Sequence, residues 1–267
     1  MAGIQTTGTA AVSDDKIQLR KCTGVEEFRA CVDLQKEVWG FDDIDLVPLR
    51  IFSLAPKIGG QVIGAWEGET LAGFTLSIPG IRNGHAYLHS HMLAVRPEYR
   101  NSGVGRRLKL FQRQDAIAQG YELIEWTFDP LEIKNAYLNL ERLGAIARRY
   151  NINQYGIASS PLWGSLPTDR LVAEWWLKSK RVELLLSAGE QRAFPEEMRI
   201  EVPAEIYAWK ANPETRPKAA EVQLRNRGLF LKAFSQGLVC LRYGREDDGS
   251  GVFVLGRWDE DWSYAGK

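Results

Sequence analysis

The chain has 267 residues, of which 45% are hydrophobic and 25% are charged, with 34 basic and 34 acidic side chains. This length is enough for one large domain, or for one domain with an extension, that buries a full core. The balanced charge argues against a polyanion-binding surface, so we expect no nucleic-acid partner. Cys22, Cys31 and Cys240 have an odd count and no CxxC spacing, which excludes a cysteine zinc site and favours a reducing compartment.

The N-terminal residues 1–15 lack the basic and apolar regions of a signal peptide. The chain also has no run of about 18 apolar residues that could span a bilayer. We therefore interpret residues 1–15 as a disordered tail of a cytoplasmic protein, and we expect no membrane partner.

The first half of the chain predicts a strand and a helix followed by an antiparallel meander. Residues 16–22 alternate as a strand does, and residues 25–39 place apolar side chains along a helical stripe. Segments 59–80 and 84–95 predict three further strands, the first two joined at Glu67-Gly68-Glu69.

The helix predicted after residue 103 carries two apolar patches on opposite faces, so we expect protein to cover it on both sides. One patch comprises Val104, Leu108, Phe111 and Ala118, and the other comprises Leu110 and Ile117.

The next segments predict a strand over 121–128, a helix over 129–144 and a strand over 170–177. Asp129 is the expected cap of this second helix and Gly144 its expected end. Further on, residues 214–237 predict a helix, and a hairpin follows that turns at an acidic, glycine-containing stretch. We interpret 181–267 as an extension packed on a main domain of residues 16–180.

A glycine-rich loop, "RNSGVG", connects an apolar strand to a basic helix at residues 100–105. Glycine lets the backbone approach a ligand closely, and the first N–H groups of a helix have no intrahelical partner. Such a loop holds anions, so the sequence predicts a phosphate site.

Arg100, Gly103 and Gly105, set between "LAVRPEYR" and "NAYLNLERLG", resemble the phosphate-binding pattern of the GNAT superfamily of acyl-CoA N-acyltransferases. The resemblance covers roughly residues 16–178. It implies a mixed α/β fold in which a central, mostly antiparallel and splayed sheet is flanked by helices. The segment "LPTDR" (166–170) resembles a subgroup of predicted acetyltransferases that carry a C-terminal extension.

The resemblance implies acetyl-CoA or another acyl-CoA as co-substrate, and no metal. The pyrophosphate would lie on the loop N–H groups, with Arg106, Arg107 and Lys109 adding positive potential. Strand residues up to Val95 would offer backbone groups to the pantetheine arm where the fourth and fifth strands splay apart. The expected cofactor-binding residues are Leu93, Ala94, Val95, Arg100, Asn101, Ser102, Gly103, Val104, Gly105, Arg106 and Asn135.

The helix over 129–144 leaves two roles open. Asn135 is expected to contact the cofactor, and Asn139 lies one turn further along the helix. The alternative for Asn135 is a position on a solvated helix face. Relatives often carry a tyrosine acid four residues before the final glycine, where this chain has Leu140. Tyr137 is close in sequence but points about 60° away around the helix.

Acyl transfer to an amine requires a base, because an α-amine is mostly protonated at neutral pH. The three histidines, His85, His89 and His91, lie within one predicted strand without an acidic residue to complete a metal site. His89 is the expected base, with a structural histidine as the alternative reading and Glu125 as the second candidate.

Together these features predict transfer of an acyl group from acyl-CoA to a primary amine of a small molecule such as an amino acid. Acetyl is the default acyl group and succinyl is an alternative. Arg170 is expected either to meet a substrate carboxylate or to pair with Asp169 or Glu174. A homodimer is left open. Because Leu140 removes an expected acid, a non-catalytic acyl-CoA-binding or sensory module is the alternative function.

Overall fold

The computed structural model describes residues 16–156 and 166–264, so the predicted tail over 1–15 lies outside the described residues. The helices are α1 (Val25–Trp39), α2 (Leu49–Leu54), α3 (Val104–Ala118), α4 (Ile133–Tyr137), α5 (Lys180–Ala188), α6 (Ile206–Ala211) and α7 (Arg216–Ser235). The strands are β1 (Ile17–Lys21), β2 (Gln61–Glu67), β3 (Thr70–Arg82), β4 (His85–Val95), β5 (Leu123–Phe128), β6 (Ile146–Asn151), β7 (Arg170–Trp176), β8 (Met198–Val202), β9 (Leu238–Arg245) and β10 (Gly251–Arg257).

The strands form one sheet in the order β1-β2-β3-β4-β5-β7-β6-β9-β10-β8. Adjacent strands run antiparallel except for β4 and β5, which are parallel and pair only at Leu88 with Ile124 and at His89 with Glu125. Beyond those pairs the two strands separate. The predicted fold class is confirmed, and so is the splay between the fourth and fifth strands.

Helices cover both faces of the β1–β4 half of the sheet. Phe74 and Met92 pack with α1 and α2 on one face, whereas Ile63 and Leu93 pack with α3 on the other. One apolar side of α3 contributes to that second cluster, and its Leu110 packs against the larger core beyond it. The prediction that this helix is covered on both sides is therefore confirmed.

The C-terminal part of the chain extends the same sheet. The predicted helix is α7, and the predicted hairpin is formed by β9 and β10. Strand β9 joins the sheet at β6, where Cys240 pairs with Ala147. Phe230 and Phe253 belong to one core cluster with Trp175 of β7. The division of the chain at residue 180 stays a prediction.

The helix predicted to begin at Asp129 begins instead at Ile133. The Asp129 carboxylate accepts a hydrogen bond from the Leu131 N–H at 2.8 Å and is also bonded to Lys210, so it stabilises a turn before the helix. After α4 the backbone continues as a wider turn over Leu138–Arg142. Among the described residues, no helix is long and apolar enough to cross a membrane.

Candidate functional site

The divergence of β4 and β5 opens a cavity of about 780 Å³. It extends from the α3 side of the sheet, where Ser90 and Lys109 lie, to the α1–α2 side, where Trp39 and Phe41 lie. The other lining residues include His91, Met92, Leu93, Trp126, Thr127, Phe128, Asn135, Asn139, Arg170, Tyr207 and Lys210. The cavity therefore connects the two faces of the sheet.

His91 occupies a β-bulge in β4. Ser90 pairs with Ser77 and Met92 pairs with Leu76, so His91 is the extra residue between two neighbouring pairs. A bulge re-aims the side chains around it. Here Ser90 faces α3, Met92 faces α1, and His91 borders the cavity.

The two histidines beside the cavity favour the neutral imidazole. Burial lowers the pKa of His91, although solvent reaches this side chain through the cavity. Burial, and to a smaller extent the neighbouring His91, lowers the pKa of His89 to about 4. The rings lie 6.1 Å apart between centroids. His89, the base expected from the sequence, is half-buried and is not among the residues that line the cavity.

The structure places Glu125 in a buried ion-pair network rather than in the cavity. Its carboxylate pairs with Arg82 and Arg149, and it is 2% exposed. Arg149 also bonds Glu174, which pairs with Arg148. A carboxylate held by two guanidinium groups is poorly placed to accept a proton from a substrate, so the geometry does not favour Glu125, the second candidate for the base.

The glycine-rich loop has the geometry of an anion site. Gly103 precedes α3 with φ of +85°, and among the described residues no side chain of this N-cap position caps the helix. Its leading N–H groups therefore remain available to a ligand. Around them, Arg100 donates from Nε to the Val95 carbonyl at 3.2 Å, and the Ser102 hydroxyl donates to the Tyr99 carbonyl at 2.6 Å. Asn101 adopts a positive φ of 63°, whereas Val104 is buried in the core.

Two residues have features that the protein's own packing leaves unexplained and that fit a bound acyl-CoA. Apart from the local backbone of α3, the nearest atom among the described residues to a Cβ on helical Gly105 would be on Val95 at 3.7 Å, so neither space nor backbone conformation requires glycine there. Close approach of a phosphate would require it. Asn139 is 2% exposed, and its Nδ2 has no hydrogen-bond partner among the described residues although it borders the cavity.

The basic side chains after the loop divide among three places. Arg107 donates from Nη2 to the Ile17 carbonyl at 2.7 Å, and Lys109 is buried beside Ser90. Both residues were expected to add positive potential at the loop, and these contacts instead direct them to other parts of the protein. Arg106 borders a second cavity of about 480 Å³ together with Arg142 and Arg242. Burial and the nearby Arg142 lower the pKa of Arg106.

The other strand and helix residues expected at the site differ in their accessibility. The Ala94 side chain is buried in the core, so only its backbone remains for a ligand, whereas Asn135 is exposed and lines the cavity. Leu140 is fully buried in the core. Tyr137 borders the second cavity rather than the first.

Residues far apart in sequence close the cavity on the side of the C-terminal extension. Arg170 is 5% exposed, and its guanidinium lies 5.5 Å from the ring centroid of Tyr155. Lys210 bonds Asp129 and Glu132 at 2.9 and 2.8 Å. Burial opposes the charge on Lys210, but the two carboxylates raise its pKa. Over residues 16–156 and 166–264, no cluster of histidine, cysteine and acidic residues could hold a metal ion.

Residues 28–138 match the model of the acetyltransferase (GNAT) family. They form a GNAT acetyltransferase domain. The resemblance drawn from the sequence is thereby confirmed over residues 28–138, and the family gives the enzyme class, an N-acyltransferase that uses an acyl-CoA. A search of curated proteins finds no significant match.

Solved structures with the same fold include yncA from Salmonella typhimurium with its cofactor acetyl-CoA, at 13% identity and a TM-score of 0.50, covering 62% of this chain and 98% of that one. A GNAT family acetyltransferase from Elizabethkingia anophelis with acetyl-CoA bound is 16% identical, with a TM-score of 0.46, and covers 61% of this chain and 99% of its own. The ribosomal-protein-S18-alanine N-acetyltransferase from Escherichia coli is 12% identical, with a TM-score of 0.49 and coverage of 61% and 95%.

Proposed function

We propose that the protein transfers an acyl group, acetyl by default and succinyl as an alternative, from acyl-CoA to the primary amine of a small molecule. The observation that carries this proposal is the cavity at the β4–β5 divergence, which connects the two faces of the sheet. A donor can enter it from the α3 side while an amine enters from the α1–α2 side.

We assign the donor to three parts of the site. The N–H groups at the start of α3 would hold the pyrophosphate, and Arg106, Arg142 and Arg242 lie beside the second cavity, where further phosphate charge can be neutralised. The arm would run along the edge of β4 beyond His89, which β5 no longer pairs. Asn139 offers its unpartnered amide to that arm.

When bound, acyl-CoA supplies a thioester whose carbonyl carbon an amine can attack. The exposed edge N–H groups of β4 are suited to stabilise the negative charge that develops on the carbonyl oxygen. His91 borders the cavity and favours the neutral form, so we propose it as the group that accepts the amine proton, directly or through water. His89 stays the prediction made from the sequence, and the geometry favours its neighbour.

The acceptor we propose is a small amine such as an amino acid. Arg170 lines the cavity and can pair with a substrate carboxylate. The three free, buried cysteines support the cytoplasmic location proposed from the sequence.

Thiol release from acetyl-CoA or succinyl-CoA, measured against a panel of amines and amino acids, tests the proposal. Release that depends on a particular amine supports it. A coenzyme-induced rise in melting temperature without release for any amine would instead favour an acyl-CoA-binding or sensory module. The buried Leu140 at the expected acid position is the observation that keeps this second candidate open.

A further inference from the structure

Lys109 lies at the point where β4 and β5 begin to separate. Its Nζ is 3.1 Å from the Ser90 hydroxyl and 3.7 Å from the ring centroid of Trp126. Ser90 and Trp126 are the residues that follow the last β4–β5 pair, His89 with Glu125. Lys109 therefore forms the floor of the divergence, and it borders the large cavity.

The surroundings of this amine are neutral. Nζ also bonds the Gln112 side-chain oxygen at 2.6 Å, and Trp175 lies 5.6 Å away. Among the described residues, no carboxylate lies within 4.0 Å of Nζ, in contrast to the other buried lysine of the cavity, Lys210, which has two. Burial without a counter-charge holds the pKa of Lys109 well below its usual value.

A buried hydrogen-bond network fixes the position of this amine. The Gln112 amide donates to Ser77 at 2.7 Å and to Ser90 at 3.1 Å, and Gln61 bonds the backbone of Gln112. The side chains of this network are each at most 5% exposed, namely Gln61, Ser77, Ser90 and Gln112. Because these buried groups satisfy one another's hydrogen bonds, the network holds the Lys109 amine in one position.

We propose that Lys109 is a self-acylation site, at which the protein acylates its own Nζ from the acyl-CoA in the cavity when no amine acceptor is present. The inference rests on the proposed function, because it requires the donor thioester to lie in the β4–β5 divergence. Burial among neutral partners favours the neutral form of this amine, and a neutral amine in a donor groove is a nucleophile, as the substrate amine must be.

In this step the Nζ lone pair forms a bond to the acyl carbon, and the carbon–sulfur bond breaks. Sulfur retains the bonding electrons and leaves as the coenzyme thiol with the proton that Nζ loses. The product is an amide and does not return its acyl group to an amine. We therefore expect the modified protein to lose activity, since the acyl group remains at the floor of the cavity.

The test is peptide mapping by mass spectrometry after the full-length protein is incubated with isotopically labelled acetyl-CoA and no acceptor. The exposed lysines Lys36 and Lys57 report the background of non-enzymatic acetylation. We expect Lys109 to be labelled at least about tenfold faster than either, and we expect a saturating amine substrate or free coenzyme A to suppress its labelling. Transferase activity should fall in proportion to the labelled fraction.

Amine turnover and the coenzyme-induced shift in melting temperature separate failure of this inference from failure of the proposed function. A protein that turns over an amine, yet leaves Lys109 unlabelled after incubation with the donor alone or labels it no faster than the exposed lysines, would overturn self-acylation alone. Absence of both a coenzyme-induced melting shift and turnover would overturn both. Lys109→Met, which cannot form the amide and places no permanent charge in this neutral site, should retain activity longer than wild type during incubation with the donor.

Discussion

Lys210 of α6 bonds Asp129, the residue that follows β5, with 2.9 Å between Nζ and Oδ2. Lys210 lies outside the 28–138 family match, whereas Asp129 lies within it. The same lysine borders the cavity and also bonds Glu132. The C-terminal extension thus supplies both a wall of the cavity and the counter-charge for two carboxylates next to it.

The extension should therefore be required for folding. Truncation after residue 180 removes Lys210, strands β8 to β10 and the aromatic residues that pack against β7. We expect the 1–180 fragment to aggregate or to lose cooperative unfolding, measured by light scattering and thermal denaturation. A soluble fragment with a cooperative transition would contradict this expectation.

Removal of the Lys210 charge alone should be costly. Lys210→Met leaves Asp129 and Glu132 without their buried partner, and breaking a buried ion pair costs about 3–5 kcal/mol. Denaturant unfolding measures the loss, and Lys218→Met, on the neighbouring helix α7, is the control for an exposed lysine. Equal stability of the two variants would show that the ion pairs contribute little.

A side chain at Gly105 should block the donor without unfolding the protein. Gly105 has a helical backbone, and a Cβ there would make ordinary van der Waals contact with Val95 at 3.7 Å, so a side chain fits but occupies the space next to the leading N–H groups of α3. We expect Gly105→Val to abolish the rise in melting temperature caused by coenzyme A. Gly228→Val is the control, since Gly228 is also helical and a Cβ there would meet no atom of the described residues within 4 Å. An unchanged shift in Gly105→Val would remove the phosphate site from this loop.

His91 and His89 can be separated by kinetics. If His91 accepts the amine proton, His91→Ala should lower kcat by about 10²–10⁴ with little change in coenzyme affinity. Because the pKa of His91 is lowered, the rise of kcat/KM with pH should be centred below the usual histidine value of 6.5. His89→Ala should have the smaller effect. A larger loss of kcat in His89→Ala than in His91→Ala would instead support His89, the base predicted from the sequence.

His89 should also make the fold sensitive to acid. Its pKa is about 4 in the folded protein, against 6.5 ordinarily, because its surroundings penalise the charged ring. The unfolded chain therefore takes up this proton first as the pH falls, and the free energy of unfolding should decrease from about pH 6.5 to pH 4. The loss is up to about 3 kcal/mol. His89→Asn should flatten this part of the profile, whereas a variant of the exposed His85 should leave it unchanged.

Local patterns predicted much of the fold. Residues 25–39 form the expected helix because a helical stripe and a final glycine mark it clearly in the sequence. Strand β6 was not predicted, since its Arg148 and Arg149 interrupt the apolar alternation. Those charges are neutralised by Glu125 and Glu174, which lie on neighbouring strands and cannot be recognised as partners from spacing.

The sequence predicted the glycine-rich loop of the candidate site better than the residues that line the cavity. A short glycine pattern specifies the loop, whereas the bulge at His91 depends on how β3 and β4 align. Lys109 follows Arg106 and Arg107 in sequence, which suggested a common role. The rotation of α3 instead directs its amine toward Trp126. The sequence did offer one signal, because Lys109 stands between two apolar residues. The arginines just before it obscured that signal.

A crystal structure of the protein with coenzyme A tests the central claim most directly. The account predicts pyrophosphate density at the N–H groups of residues 103–106 and an arm along β4 between Ser90 and Val95, on the side that faces β5. The thiol should end near His91. Coenzyme bound elsewhere, or an empty β4–β5 divergence at concentrations that raise the melting temperature, would contradict it.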